Sequence, residues 1–412
     1  MTGWLTSPSH VRWLETEGER LLAFGRASRH PSGGFAWLDT AGAPDPSRPL
    51  QLWVTCRMTH VYGLASLLGH PFAGSLADHG VAALAGRFRD AVHGGWYPVV
   101  DEAGPVSRDK TAYEHAFVLL AAATATAADR PGGRQLPEDA LGVVLTRFWD
   151  DDAGMVVEQW DEAFTAVDGY RGVNANMHTV EALLAAADVT GDDSLRQRAQ
   201  RVTTRVVHQL AAGNRWRIPE HFDSSWTPLL DYNQDQPAHP FRPYGATVGH
   251  WLEWARLAVH LHAALGDQAP EWLLADARSL FDAAVRDGWA VDGAPGFVYT
   301  VDWEGRPVVR ERMHWVVAEA TAVAAALHAA TGDPSYDAWY QTWWEYAADA
   351  FIDEEHGSWH HELSPDNRPS SMTWSGKPDV YHAFQATLVP RLPLSPSMAA
   401  ALRDGAAPRP RS

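Results

Sequence analysis

Six short segments interrupt this chain at a nearly regular interval, and that repeat limits its fold more than any other feature. They read Gly33-Gly-Phe-Ala-Trp-Leu, Gly95-Trp-Tyr-Pro-Val-Val, Gly154-Met-Val-Val-Glu-Gln, Arg215-Trp-Arg-Ile-Pro-Glu, Gly296-Phe-Val-Tyr-Thr-Val and Gly357-Ser-Trp-His-His-Glu. Each follows a turn former, carries an aromatic or β-branched run and ends in another turn, which is the signature of short hairpin strands. Successive segments lie roughly 60 residues apart, with one interval of about 80, the kind of fixed period that marks a repeated supersecondary unit.

Between these segments the sequence predicts two helices per interval. Those near 8–28, 72–92, 136–150, 193–212, 269–287 and 335–351 precede a hairpin and are amphipathic; Leu195, Ala199, Val202, Val206 and Leu210 form a single apolar stripe. Those near 50–69, 110–127, 173–190, 246–265, 309–331 and 377–388 follow a hairpin and are apolar nearly all round, as in Phe117-Val-Leu-Leu-Ala-Ala-Ala. A helix apolar on every side is buried on every side. Six such helices alternating with six one-faced helices predict an all-α (α/α)6 barrel of twelve helices, with short β-hairpins at one end. An open solenoid would expose a flank of its inner helices and need capping repeats. Residues 1–392 are expected to form one catalytic domain. Residues 393–412 are set apart as a C-terminal tail, with Gly405-Ala-Ala-Pro-Arg-Pro-Arg-Ser expected to be disordered.

Polar residues near the starts of the buried helices need an explanation. They are Trp53, Arg57 and His60; Tyr113 and His115; Asn174, Asn176, His178 and Glu181; Arg242, His250 and Glu253; His314, Trp315 and Glu319; and Trp374 with His382. Each taken alone reads equally well as a structural group, whether a satisfied core residue or a helix cap, and as part of a functional site. Together they place a pocket on one rim of the barrel, with His60, His115 and His314 as its most structural members.

Composition narrows the chemistry. The charge of −18 repels phosphate backbones and argues against nucleic-acid or anionic-membrane partners. The single Cys56 allows no intrachain disulfide, no apolar run is long enough for a membrane span, and the first residues lack a signal-peptide pattern, so the cytoplasm is the expected compartment. No Gly-x-Ser-x-Gly elbow, Walker loop or dinucleotide fingerprint occurs, and no cofactor is expected. His178-x-x-Glu181 and His250-x-x-Glu253 could pair as metal ligands, but without a His-Glu-x-x-His run no catalytic metal is expected. Two chemistries survive. One is proton transfer by His250 and His382 α to a sugar carbonyl; the other is glycoside hydrolysis by Glu253 and Glu319. Twenty tryptophans suit either, because sugar C–H faces stack on indoles. A carbohydrate-binding barrel without turnover is the third reading.

At these positions the sequence resembles the N-acylglucosamine 2-epimerase superfamily, and within it the branch of mannose and sulfoquinovose isomerases. The resemblance spans roughly residues 8–392. It rests on Trp53-Val-Thr-Cys-Arg57-Met-Thr-His60, Tyr113-Glu-His-Ala-Phe117, Asn174-Ala-Asn-Met-His178-Thr-Val-Glu181-Ala, Phe241-Arg-Pro-Tyr-Gly-Ala-Thr-Val-Gly-His250-Trp-Leu-Glu253-Trp, Trp315-Val-Val-Ala-Glu319-Ala and Tyr381-His382. It implies an (α/α)6 barrel and cofactor-free isomerisation of D-mannose and D-fructose through a cis-enediol. By the same resemblance His382 would be the general base at C2, and His250 its acid–base partner with Glu253 bonded nearby. Arg57 would stabilise the enediolate. Tyr113, Asn174, His178 and Glu319 would hold sugar hydroxyls, while Trp53, Trp315 and Trp374 wall the ring. A sulfoquinovose isomerase would need a further cation for the sulfonate, with Arg242 and Lys377 as candidates, and a sugar 2-epimerase is the other alternative in the family. The expected partner is a monosaccharide; monomer and homo-oligomer both remain open.

Overall fold

The computed structural model describes residues 3–406. Its helices come in outer–inner pairs. They are α1 (Pro8–Gly25) and α2 (Leu52–Leu67), α3 (Ala73–Ala85) and α4 (Ala112–Ala127), α5 (Leu136–Val143) and α6 (Val173–Thr190), α7 (Asp193–Thr203) and α8 (Val248–Leu265), α9 (Trp272–Gly288) and α10 (His314–Thr331), and α11 (Pro334–Tyr346) and α12 (Tyr381–Leu388). The even-numbered helices pack in succession, α2 on α4 and so on through α10 on α12, and α12 returns to α2, so the inner ring closes. The odd-numbered helices lie outside it. The chain forms the (α/α)6 fold.

The two kinds of helix differ as their sequences require. Fourteen of the 16 residues of α2 are buried, whereas α7 buries only Leu195, Ala199, Val202 and Thr203 of its 11. The stripe predicted on α7 drifts at its end: Thr204–Ala211 is a π-helix, and Val207 and Ala211 are buried where Leu210 is half-exposed. A π turn holds more residues than an α turn, so the apolar face shifts along the sequence. Small residues let the inner helices approach closely. A Cβ on Gly63 of α2 would stand 2.6 Å from Thr124 Cγ2 of α4, and one on Gly249 of α8 would stand 2.4 Å from the Trp315 ring of α10.

The hairpins gather at the N-terminal ends of the inner helices because the backbone pins them there. The strand that enters each inner helix pairs antiparallel with the hairpin of the following unit: Leu50–Gln51 with Val99–Asp101, Lys110–Thr111 with Gln159–Trp160, Arg171–Gly172 with His221–Phe222, Ala246–Thr247 with Thr300–Val301, and Arg312–Met313 with Glu362–Leu363. At the sixth position the cycle returns to the first hairpin, where the Lys377 amide donates to the Leu38 carbonyl at 2.8 Å. Two inner helices start later than their periodicity suggests, at His314 and Tyr381, because the preceding residues are spent on these entry segments.

The segment set apart as a tail instead contains a helix, α13 (Met398–Arg403), with Ala399–Leu402 buried and packed against α2, α4 and α6 at the opposite end of the ring. Five apolar residues in six make an exposed tail costly, and the floor of the barrel offers apolar surface to cover. Of the stretch expected to be disordered, residues 407–412 lie outside the described residues. Among the described residues, no helix is long and apolar enough to cross a membrane.

Candidate active site

A cavity opens at the hairpin end of the ring. Trp53, Arg57, Tyr113, Asn174, His178, His250, Glu253, His314, Trp315, Trp374 and His382 all line it, so residues scattered over more than 300 positions meet on one rim. Six helices pointing their N-termini at one end make this convergence unavoidable.

His382 and His250 are built alike. His382 Nδ1 lies 2.9 Å from Glu319 Oε1, and His250 Nδ1 lies 2.9 Å from Glu220 Oε2. A carboxylate can only accept, so each Nδ1 carries its proton and each Nε2 keeps its lone pair. Burial holds the His382 imidazole well below its ordinary pKa, which keeps it neutral and basic at Nε2. The indole of Trp315 leans on both rings, its centroid 5.4 Å from that of His250 and 5.8 Å from that of His382.

Beneath them lies a buried polar floor. Arg256 Nε donates to Glu319 Oε2 at 2.6 Å, and Nη2 of the same side chain stands 3.6 Å from Glu253 Oε1. Burial, and then the negative charge of Glu319, pushes the Glu253 carboxyl well up. His178 Nδ1 is 3.8 Å from Glu253 Oε1 and 3.6 Å from Glu181 Oε2, which also accepts from the Tyr381 hydroxyl at 2.5 Å. Burial lowers His178 to about 4. Above the floor, Arg57 donates to Asp379 Oδ2 at 3.2 Å and to the Tyr113 hydroxyl at 3.1 Å, with Trp53, Phe117 and Tyr381 rings within 4.9 Å of its guanidinium carbon. Trp53, Phe241 and Trp374 meet edge to face at the mouth, with centroids 5.0 to 6.4 Å apart.

Several residues stand elsewhere than the sequence suggested. Glu253 does not bond His250; its place beside that ring is taken by Glu220, which reaches in from a hairpin, while Glu253 faces His178 and Arg256. Glu319 lies behind His382 rather than in the cavity wall, with both oxygens taken up by His382 and Arg256. Arg242 also falls outside the lining: its guanidinium lies over the Tyr170 ring at 4.0 Å and faces Glu158, while its neighbours Phe241 and Pro243 line the wall. Lys377 is buried against Asp353, Nζ to Oδ2 2.5 Å, away from the cavity. Sequence reasoning missed Glu220, Asp379 and His361. Glu220 ends its hairpin segment as Glu362 ends the last one, and that repeated acidic position was the available signal. Asp379 and His361 carried none.

Two groups in the floor have metal-like spacing, His178 with Glu181 and Glu253, and Glu253 with Glu319 and His382. The donor set does not suit a divalent ion, because Arg256 already brings its charge to Glu319 and Glu253, and Tyr381 occupies Glu181. At a third group, Asp90, His93 and Glu162, Lys110 and Arg108 play the same part.

This fold and rim belong to an enzyme of known lineage. The family model for N-acylglucosamine 2-epimerase matches residues 33–386, and the chain belongs to that family. It is an isomerase by class: it is 56% identical over 404 residues, 98% of this chain and 99% of the relative, to a D-mannose isomerase of Thermobifida fusca. It is 49% identical over 405 residues, 97% of each chain, to a D-mannose isomerase of Pseudomonas cannabina pv. alisalensis. A crystal structure of a D-mannose isomerase superposes with a TM-score of 0.86 at 28% identity, covering 93% of this chain and 98% of that one.

Proposed function

We propose that this protein interconverts D-mannose and D-fructose. The observation that carries the proposal is the pair of imidazoles, each fastened at Nδ1 to a carboxylate and each lining the same cavity with Nε2 unbonded. Full-length similarity to two D-mannose isomerases supports the choice of sugar. In the open-chain aldose, His382 Nε2 takes the C2 proton while the C1 carbonyl becomes the enediolate oxygen. The proton returns to C1 as the O2 hydroxyl gives its own proton toward O1, leaving a C2 ketone. His250 Nε2 relays the proton between these oxygens and serves ring opening. Arg57 faces the developing charge, and such preorganised donors contribute a few kcal/mol to a barrier. Tyr113, Asn174 and His178 hold hydroxyls, and Trp53, Trp315 and Trp374 give the ring its apolar walls. Glu319 acts through His382 and Glu220 through His250, as positioning residues.

The other readings have less support. Hydrolysis needs two carboxyl groups facing the bond to be cut, and Glu319 has both oxygens engaged. A sulfonate needs an added cation, and neither Arg242 nor Lys377 reaches the cavity. The test is D-mannose in D2O with a chelator, followed by proton NMR. Fructose carrying deuterium at C1 is expected. Glucose as main product would move the assignment to 2-epimerase, and an unchanged sugar would overturn it.

A further inference from the structure

A second cavity lies on the far side of the polar floor. Its upper end is formed by Arg256, Glu181, His60 and His260, and its mouth by the C-terminal segment around Ser397 and Met398. Arg256 and Glu181 therefore separate it from the cavity that holds His382 by the thickness of one layer of side chains. We infer that this cavity is a binding site for a small neutral alcohol, with the hydroxyl at the floor and an aliphatic body toward α13.

Three observations select that ligand. The first is hydrogen-bonding sign. Arg256 spends Nε and Nη2 on Glu319 and Glu253, while Nη1 makes no hydrogen bond among the described residues and remains a donor. His260 gives its Nδ1–H to the Leu394 carbonyl at 2.7 Å, and its Nε2 is a buried acceptor with no partner among the described residues. A group that must both accept and donate is a hydroxyl. The second is charge. Glu181 shares the floor with Arg256 and Asp188 lines the wall, so an anion meets carboxylates and a cation meets a guanidinium, and a neutral molecule avoids both penalties. The third is the body of the cavity, where Leu120, Leu184, Leu257 and Leu394 present hydrocarbon of a kind that binds aliphatic chains.

The site is wired to the rim above it. Arg256 contacts Glu319, and Glu319 contacts His382 Nδ1, so an oxygen that accepts from Arg256 Nη1 changes the field at His382 through two hydrogen bonds. That coupling rests on His382 being the base of the proposed reaction; the binding does not.

The probe is 1-pentanol with the full-length protein. It should raise Tm saturably, and a crystal soaked in it should show the hydroxyl within hydrogen-bond reach of Arg256 and His260. Ala185→Leu fills the cavity and should abolish the Tm rise while turnover stays within twofold. His260→Phe keeps the space, removes the acceptor and should weaken binding at least tenfold. No saturable Tm change, a rise unaffected by Ala185→Leu, or an adventitious additive only at the surface of the soaked crystal would each overturn the site. Saturating 1-pentanol should also shift kcat of the wild type two- to fivefold with KM unmoved. Binding in the cavity with kcat unchanged would overturn the coupling, whereas a protein inactive on mannose but stabilised by pentanol would overturn only the proposed reaction.

Discussion

Proton abstraction from carbon requires a base whose lone pair is aimed and whose other nitrogen is fixed, and both histidines meet that requirement through a carboxylate at Nδ1. His382→Ala and His250→Ala should each lower kcat by about 10³-fold or more, within the range that a positioned acid–base group supplies, as measured by fructose formation from mannose. Glu220→Gln is the sharper experiment. The amide can offer its own N–H to His250 Nδ1, which favours the wrong tautomer, while its oxygen can still accept from the Thr247 amide as Glu220 Oε1 does at 3.3 Å. A fall in kcat of about 10²-fold with folding intact is expected, and an unchanged kcat would remove Glu220 from the machinery.

Among the elements, the contact of α8 with α10 matters most, because Trp315 and His250 face each other across it. Gly249 allows that approach: an added Cβ would lie 2.4 Å from the Trp315 ring and 2.6 Å from Val316 Cγ2. Gly249→Ala should therefore cost about 1–3 kcal/mol by overpacking and push Trp315 away from both histidines. Urea unfolding and kcat/KM should fall together, and a variant with wild-type values in both would show that the helices can separate freely. The same close approach explains why alanine dominates α4 and α10, which could not otherwise lie buried on all sides.

At the scale of the whole molecule, burial of so many imidazoles makes stability sensitive to acid. Of the thirteen histidines that burial lowers, eight are shifted furthest: His10, His60, His178, His260 and His314 to about 4, His115 to about 3, and His361 and His382 in direction. In the unfolded chain they take up protons near pH 6.5. Below that pH the unfolded state binds protons that the folded state refuses, so the stability present above about pH 6.5 is lost as pH falls toward 4. Each such group contributes up to about 1.4 kcal/mol per pH unit in that window. Glu114, Glu158 and Glu253, raised by burial, act in the opposite sense, since the folded state holds their protons. Eight against three decides the sign. Tm should fall steeply between pH 6.5 and 5, and a flat profile by calorimetry would contradict the buried neutral histidines.

The sequence by itself determined the twelve-helix alternation, because burial on all sides and burial on one side leave different apolar patterns, and it determined the rim, because polar residues in a buried helix need partners. It located His250, His382, Arg57 and the aromatic walls through their position near helix starts. What it could not supply was which partner each group takes. Glu220, which lies 30 positions before His250, and Glu319, which lies 63 before His382, are joined to them only by the closing of the ring. The same holds for α13, whose short apolar run has no meaning until the barrel floor it covers exists. Local pattern records whether a residue is buried; the identity of its neighbour depends on the register of helices distant in the chain, and only tertiary packing sets that register.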